Sequence, residues 1–552
     1  MSKTFKSNFT FGGIMAEKDP LLSEAYWDNG EFEAVVSHDD PRCFLIGRTG
    51  SGKSALLQHL EDLYPQKVIR IIPENLSLPY ITNLDVVRQL IQLKVRLDPF
   101  LKALWKHVII VEILRHRYNI NSPEEKQTVL SSLLNKFRRD PGKIKAIEYL
   151  DEFGDKFWCE ADERVKQIAE TFERKIAASA EIGVQAVKAD IKGSADFEQT
   201  KTREVKSELA SRYQRIVNDT QISRLNEMIK MLNEEILTPQ HFTYVIIDDL
   251  DKEWEDEQIA NLLIQCLFQA VVDIQGIKNL KILVALRTNI FRQLHYGEHS
   301  KGGQEEKFRG LASHIRWTRN DLWRLLENRA EVASRHYHLE PAKTLSDMLP
   351  EINKNKKKDL DPVKHILDRT LMRPRDAILY LNACVREASG RETITWQIIH
   401  LAEKRYSEER LLALRDEWKD PYLDIDKVFE RFKHCTARMS KNELTAILDD
   451  AILLLADTSF RGTHWLTNLC ETLWSAGSSS RTWNEWYGPL VNLLYATSFL
   501  GLAKGRETQA YYSYEEIDNL GHMLDLNDNV FFEVHPAFRL ALDVKELSKA
   551  YA

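Results

Sequence analysis

Residues 43–62 read CFLIGRTGSGKSALLQHLED, and the reading of this run decides the fold. Gly47-Arg48-Thr49-Gly50-Ser51-Gly52-Lys53-Ser54 satisfies the pattern G-x-x-x-x-G-K-[ST]. Phe44-Leu45-Ile46 predicts a short buried strand, and Ala55 to Leu60 opens a helix with apolar residues at helical spacing. Glycines let the backbone curl so that successive N–H groups face one anion. The helix that follows turns its positive end on the same point. Backbone from Gly47 through Arg48, Thr49, Gly50, Ser51 and Gly52 to Ala55 is therefore expected to wrap the phosphates of ATP. Lys53 is expected to reach the β- and γ-phosphates and Ser54 to ligate Mg²⁺. The alternative is a structural strand-to-helix turn with an accidental Gly-Lys-Ser, and the strand and helix on either side argue against it.

Working outward, Asp39-Asp40-Pro41 breaks the chain before this strand, so residues 1–40 read as a lead-in. Val68-Ile69-Arg70-Ile71-Ile72 predicts a second buried strand, stopped by Pro73. Residues 85–236 read as a mostly helical insertion. Ser122-Pro123-Glu124-Glu125 is a helix start, residues 180–199 alternate like a small β-ribbon, and Ile216, Ile222, Leu225, Ile229, Leu232 and Ile236 form one apolar helical stripe.

The second anchor is the strand through Tyr244-Val245-Ile246-Ile247, which ends in Asp248-Asp249-Leu250-Asp251. A carboxylate at such a strand tip suits the Mg²⁺ side of the site, and Asp248 is the candidate. The next acidic side chain is placed to orient or deprotonate an attacking water, with Asp249 first and Asp251 as the alternative. Asn279 to Leu286 predicts another buried strand, and Arg287 at its tip is a candidate γ-phosphate sensor, against the plain alternative of a strand-end ion pair. Leu263, Leu267 and Val271 give the helix before it a face to pack on the sheet. The expected fold class is α/β, a parallel P-loop NTPase sheet of the ASCE type.

Composition agrees. The 552 residues, 43% hydrophobic and 29% charged, are enough for about three domains with real cores. A net charge of −7 gives no global electrostatic case for nucleic acid. The first twelve residues lack the apolar stretch of a signal peptide. The most apolar run, Asn261–Ile274, is too short to span a bilayer, so no membrane partner is expected. Six scattered cysteines (Cys43, Cys159, Cys266, Cys384, Cys435, Cys470) offer no C-x-x-C pair, which fits buried thiols in a cytoplasmic protein.

In this order of elements the chain resembles the P-loop ATPases of the AAA+ and STAND kind, over roughly residues 30–400. The acidic strand Ile247-Asp248-Asp249-Leu250-Asp251 and an arginine at the sensor tip look closer to STAND or KAP-type ATPases. The resemblance implies a core over 41–320, a helical lid over 321–420 that starts near Asp321–Arg329, and a C-terminal winged-helix-like domain over 421–552. It implies that Arg309, after Lys307-Phe308, is a finger for a neighbour's nucleotide, and that Arg375, in Arg373-Pro374-Arg375-Asp376, is a second sensor. The chain departs from the family in its long insertion and in lacking an Asp-Glu pair at the end of the acidic strand. For the C-terminal region, the sequence predicts a helix over Trp486–Leu502 and strands over Thr508–Tyr514 and Val530–Val534. That helix carries no Lys or Arg, so packing against the ATPase is favoured over contact with DNA.

The expected function is a Mg-dependent ATPase switch whose nucleotide state controls homo-oligomer assembly or a separate effector protein; the resemblance extends this to antiviral defence. The alternatives are a DNA-associated ATPase resembling initiators and loaders, a scaffold that binds ATP without turnover, and a P-loop kinase.

Overall fold

The computed structural model describes residues 3–73, 98–118, 141–153, 221–250, 257–293, 308–352, 361–471, 482–515 and 530–546. The expected β-ribbon over 180–199, the helix start at Ser122, and Ile216, Asp251 and Lys307 lie outside these residues. The chain divides into two compact units. One holds Gly30–Arg48 and Leu56–Ile315; the other holds Met1–Asn29, Thr49–Ala55 and Arg316–Ala552.

The first unit is built on a five-stranded parallel sheet. Its strands are β1 (Phe44–Gly47), β2 (Val68–Ile71), β3 (Thr243–Ile247), β4 (Leu280–Arg287) and β5 (Ala312–His314), in the order β2-β3-β4-β1-β5. Strands this apolar are what a parallel sheet covered on both faces requires, and β1 and β3 are buried along their whole length. The strand β4 sits between the phosphate-loop strand β1 and the acidic strand β3, which is the ASCE-type P-loop sheet. Register pairs Gly47 with Arg287 and Ile247 with Val284. The carboxyl ends of β1, β3 and β4 therefore share one edge, where ligands of open α/β sheets bind.

Helices cover this sheet. Glu257–Ile274 buries Leu263, Leu267 and Val271, as its four-residue spacing predicts, and Phe268 stacks on Phe44 with ring centroids 4.0 Å apart. The Asp98–Tyr118 helix, part of the expected insertion, belongs to the same core. Trp105 is fully buried and its Nε1 donates to Leu263 O at 2.9 Å, while Lys102 and Lys106 both pair with Asp273 (2.7 and 2.6 Å). Helices Pro141–Phe153 and Gln221–Met231 add to it, with Leu225, Leu232 and Ile236 buried and Ile229 packed against them.

The second unit is mainly helical. Helices Arg319–His336, Pro362–Asp368, Pro374–Glu387 and Trp396–Trp418 share one core with Phe5, Phe9 and Phe11. The N-terminal stretch is thus packed rather than a mere lead-in: Phe5 exchanges two backbone hydrogen bonds with Gly390 and Arg391 (2.8 Å each), and buried Asp19 pairs with Arg329 at 2.7 Å. Capping boxes at Thr318/Asp321 and Ser440/Glu443 start two of the helices.

The C-terminal region is helical with a small antiparallel sheet of β6 (Arg438–Met439), β7 (Leu500–Ala503) and β8 (Phe531–Val534), in the order β6-β8-β7. Two expectations are corrected here. The helix expected over Trp486–Leu502 runs Trp483–Ala496; Ser498 takes φ 63° and Leu500–Ala503 becomes strand. The strand expected over Thr508–Tyr514 is replaced by a single bridge from Tyr511 to Leu502. Tyr512 and Tyr514 stack on each other instead of extending a ladder.

Candidate nucleotide site

The loop after β1 needs its glycines. Gly50 and Gly52 adopt φ values of 77° and 96°, where a side chain is strained. A Cβ on Gly50 would also sit 2.8 Å from Arg375 Cβ. The Lys53–Leu63 helix starts immediately after Gly52, so its first backbone N–H groups have no partner within the helix and its positive end faces the loop. Lys53 and Ser51 are buried. Thr49 Oγ1 and Ser51 Oγ are buried with no hydrogen-bond partner, and are open to a partner that a bound ligand or water can supply. The donor set fits a polyphosphate, with Ser54 the residue that would hold Mg²⁺ on this side.

The helical unit grips the opposite face of this loop. Three successive loop carbonyls are taken: Arg373 Nη1 donates to Thr49 O (2.9 Å), Arg375 N–H to Gly50 O (3.4 Å) and Trp317 Nε1 to Ser51 O (2.8 Å). In a loop whose N–H groups turn inward, carbonyls turn outward, so these contacts leave the amide side to an anion. The local sequence explains the geometry. Arg373 precedes a proline and is therefore extended (φ −127°, ψ 139°). Pro374 starts the Pro374–Glu387 helix, and Arg375, next along, has a first-turn N–H with no acceptor within its helix.

Arg373 is fixed from behind. Its Nε donates to Asp376 Oδ2 (2.9 Å) and its Nη1 also to Glu417 Oε2 (2.9 Å), while Arg410 Nη1 donates to Asp376 Oδ1 (2.8 Å). Asp376 is fully buried; burial alone would raise its carboxyl, but Arg373 and Arg410 hold it well below the usual carboxylate range. Arg375 is half-buried, its Nε has no hydrogen-bond partner, and its guanidinium is pushed down by burial and then by the Arg373 cation. A cation so held beside the phosphate loop is relieved by an anion.

In the sheet unit, Asp248 is buried at the tip of β3. Its Oδ1 accepts from the Asp249 N–H at 2.9 Å, and Arg70 Nη1 stands 3.9 Å from its Oδ2. Asp249 takes φ 59° and is part-buried. Arg287 ends β4 in register with Gly47. Arg309 is exposed in the short helical segment 308–310 before β5. Asp251 lies outside the described residues. The sheet thus gathers Asp248, Asp249 and Arg287 at one edge, and the helical unit gathers Thr49–Ala55 with Arg375. Sequence reasoning missed Trp317, Arg373, Asp376, Arg410, Glu417 and Arg70. Only Arg373 and Asp376 had a local signal, in the Arg-Pro-Arg-Asp run itself.

Comparisons with known proteins add three findings. A family model described as the FunZ-associated C-terminal helical domain matches residues 320–415, the stretch that supplies Arg373, Arg375, Asp376 and Arg410. The putative transposon gamma-delta 80.3 kDa protein of Escherichia coli (strain K12) is 22% identical over 568 aligned positions, spanning 98% of this chain and 68% of its own length. Among solved structures, the ORC2 protein of Aeropyrum pernix, in ADPNP–ADP complexes, is similar across 95% of this chain and 91% of its own, at 13% identity and a TM-score of 0.26. At that score the fold assignment rests on the sheet order above. Among the described residues no helix is long and apolar enough to cross a membrane.

Proposed function

We propose that the chain is a STAND-like ATP switch: it binds and hydrolyses Mg–ATP, and its nucleotide state sets the conformation of the helical unit around the loop. The observation that carries this reading is the grip of Arg373, Arg375 and Trp317 on the carbonyls of Thr49, Gly50 and Ser51. A loop that closes on phosphate with one face moves the carbonyls of its other face, and every group holding those carbonyls belongs to the helical unit. Nucleotide binding and the internal conformation of that unit are then linked, and each biases the other.

The residues divide the work. Loop amides and Lys53 bind the β- and γ-phosphates. Ser54 and Asp248 hold Mg²⁺, which when bound neutralises phosphate charge and orients the triphosphate. Asp249 or Asp251 orients the attacking water, Arg287 and Arg375 contact the γ-phosphate, and Arg309 serves a neighbouring copy in a homo-oligomer. The output is assembly or a separate effector protein, and antiviral defence is the setting that the resemblance suggests. The test measures ATP hydrolysis and particle mass with and without ATP for wild type, Lys53→Ala and Asp248→Ala. The reading expects nucleotide-dependent mass in wild type and loss of turnover in both variants; unchanged turnover in both overturns it.

A second reading, a DNA-associated ATPase, is supported by the relative whose name places it in a transposon and by the helix-backed β6-β8-β7 sheet. Against it stands the Trp483–Ala496 helix, which has no Lys or Arg. Salt-dependent DNA affinity with DNA-stimulated turnover supports this reading, and no DNA effect at low salt removes it.

A further inference from the structure

A second constellation uses none of the residues above. His365 lies on the Pro362–Asp368 helix; His400 and Glu403 lie one turn apart on the Trp396–Trp418 helix. One donor atom from each falls within 4.8 Å of the other two. His365 Nε2 is 2.9 Å from Glu403 Oε2, and His400 Nδ1 is 3.6 Å from that same oxygen. A tetrahedral ion with bonds of about 2.0–2.1 Å holds its ligands about 3.3 Å apart, so the two separations bracket what one ion needs.

The surroundings are those of a prepared site. Glu403 is buried, and its other oxygen accepts from Arg369 Nε, which fixes the carboxylate. Arg369 Nη1 also donates to His365 O at 3.2 Å, tying the same orienting group to the first ligand's helix. The Trp396 ring packs edge-on against His365 and parallel to His400, walling one side. An ordinary hydrogen-bonded pair accounts for His365 and Glu403. It does not account for His400, whose side chain is 61% exposed. With water at hand, it turns its nitrogen to an already occupied oxygen, at a distance too long for a hydrogen bond.

We propose that His365 Nε2, His400 Nδ1 and Glu403 Oε2 bind one divalent transition-metal ion of the Zn²⁺ type, pinning the two helices together. Two imidazoles and one carboxylate suit Zn²⁺ or Co²⁺ rather than the all-oxygen shells of Mg²⁺. The exposed His400 side leaves the fourth position to water.

The test is equilibrium dialysis of the full chain against Zn²⁺ without nucleotide, with Co²⁺ absorption reporting coordination geometry. Wild type should retain one equivalent and show the intense visible bands of tetrahedral Co²⁺. His400→Ala, exposed and so neutral for folding, should bind at least tenfold more weakly, as should His365→Ala. Zn²⁺ should raise the melting temperature of wild type and leave that of His400→Ala unmoved. No retained metal in wild type overturns the proposal, and so does equal retention in wild type and both variants, which would assign the metal to other histidines.

Discussion

Two buried aspartates, Asp248 just past the end of β3 in the sheet unit and Asp376 in the first turn of a helix in the helical unit, are alike in residue and different in circumstance. Asp376 is enclosed: Arg373, Arg410 and the Leu371 N–H all donate to it within 3.2 Å. Asp248 accepts the N–H of its own neighbour at 2.9 Å, and Arg70 Nη1 stands 3.9 Å from its Oδ2. The difference marks Asp376 as a carboxylate that builds a framework, while Asp248 is the one that the proposed function puts to chemical use. Asp376 positions Arg373 against the loop, whereas Asp248 stands at the tip of β3 and is the metal ligand only under the proposed function.

The contrast breaks or sharpens under substitution. The largest expected effect is on folding: Asp376→Ala leaves Arg373 and Arg410 buried without their carboxylate and should cost about 3–5 kcal/mol, read from urea unfolding. Asp248→Ala should lower the unfolding midpoint less than Asp376→Ala does, while turnover falls by about 10²–10³. If the two variants exchange phenotypes, the distinction fails. The pH dependence follows from the same pair. The folded-state pKa of Asp376 is depressed, so its contribution is present above the ordinary carboxylate range and is lost as pH falls below it. Asp376→Asn should therefore show a flatter loss of stability between pH 5 and pH 3 than wild type, and parallel curves would contradict the assignment. Smaller again, Trp317→Phe removes the bond to Ser51 O and should cost about 1 kcal/mol. It should also abolish the part of the nucleotide-induced change in tryptophan fluorescence that arises at this ring.

How much of this was legible in the sequence depends on the range of the interactions. The phosphate loop and strands β1, β3 and β4 were readable because glycine spacing and unbroken apolar runs are local signals. The places of Asp248, Arg287 and Arg375 at element ends were readable because they follow such runs or sit at a helix start. Trp317 was not: its bond goes to a backbone atom 266 residues away, and its neighbours give no periodic cue. Arg410 and Glu417 lie two turns apart on one helix, and only folding shows that both face the Arg373 cluster. The C-terminal misreadings have a different cause. An apolar run such as Trp486–Leu502 suits helix and strand equally, and the turn at Ser498 that divides it carries no Gly or Pro. The aromatic residues of Thr508–Tyr514 serve side-chain packing, not a ladder.

The most direct measurement of the central claim is calorimetric titration of the folded full chain with Mg–ATP, beside Lys53→Ala. The account predicts about one equivalent bound by wild type and affinity at least tenfold weaker in the variant. Wild-type protein that is folded and shows no binding of Mg–ATP, or a variant that binds as tightly as wild type, would contradict it.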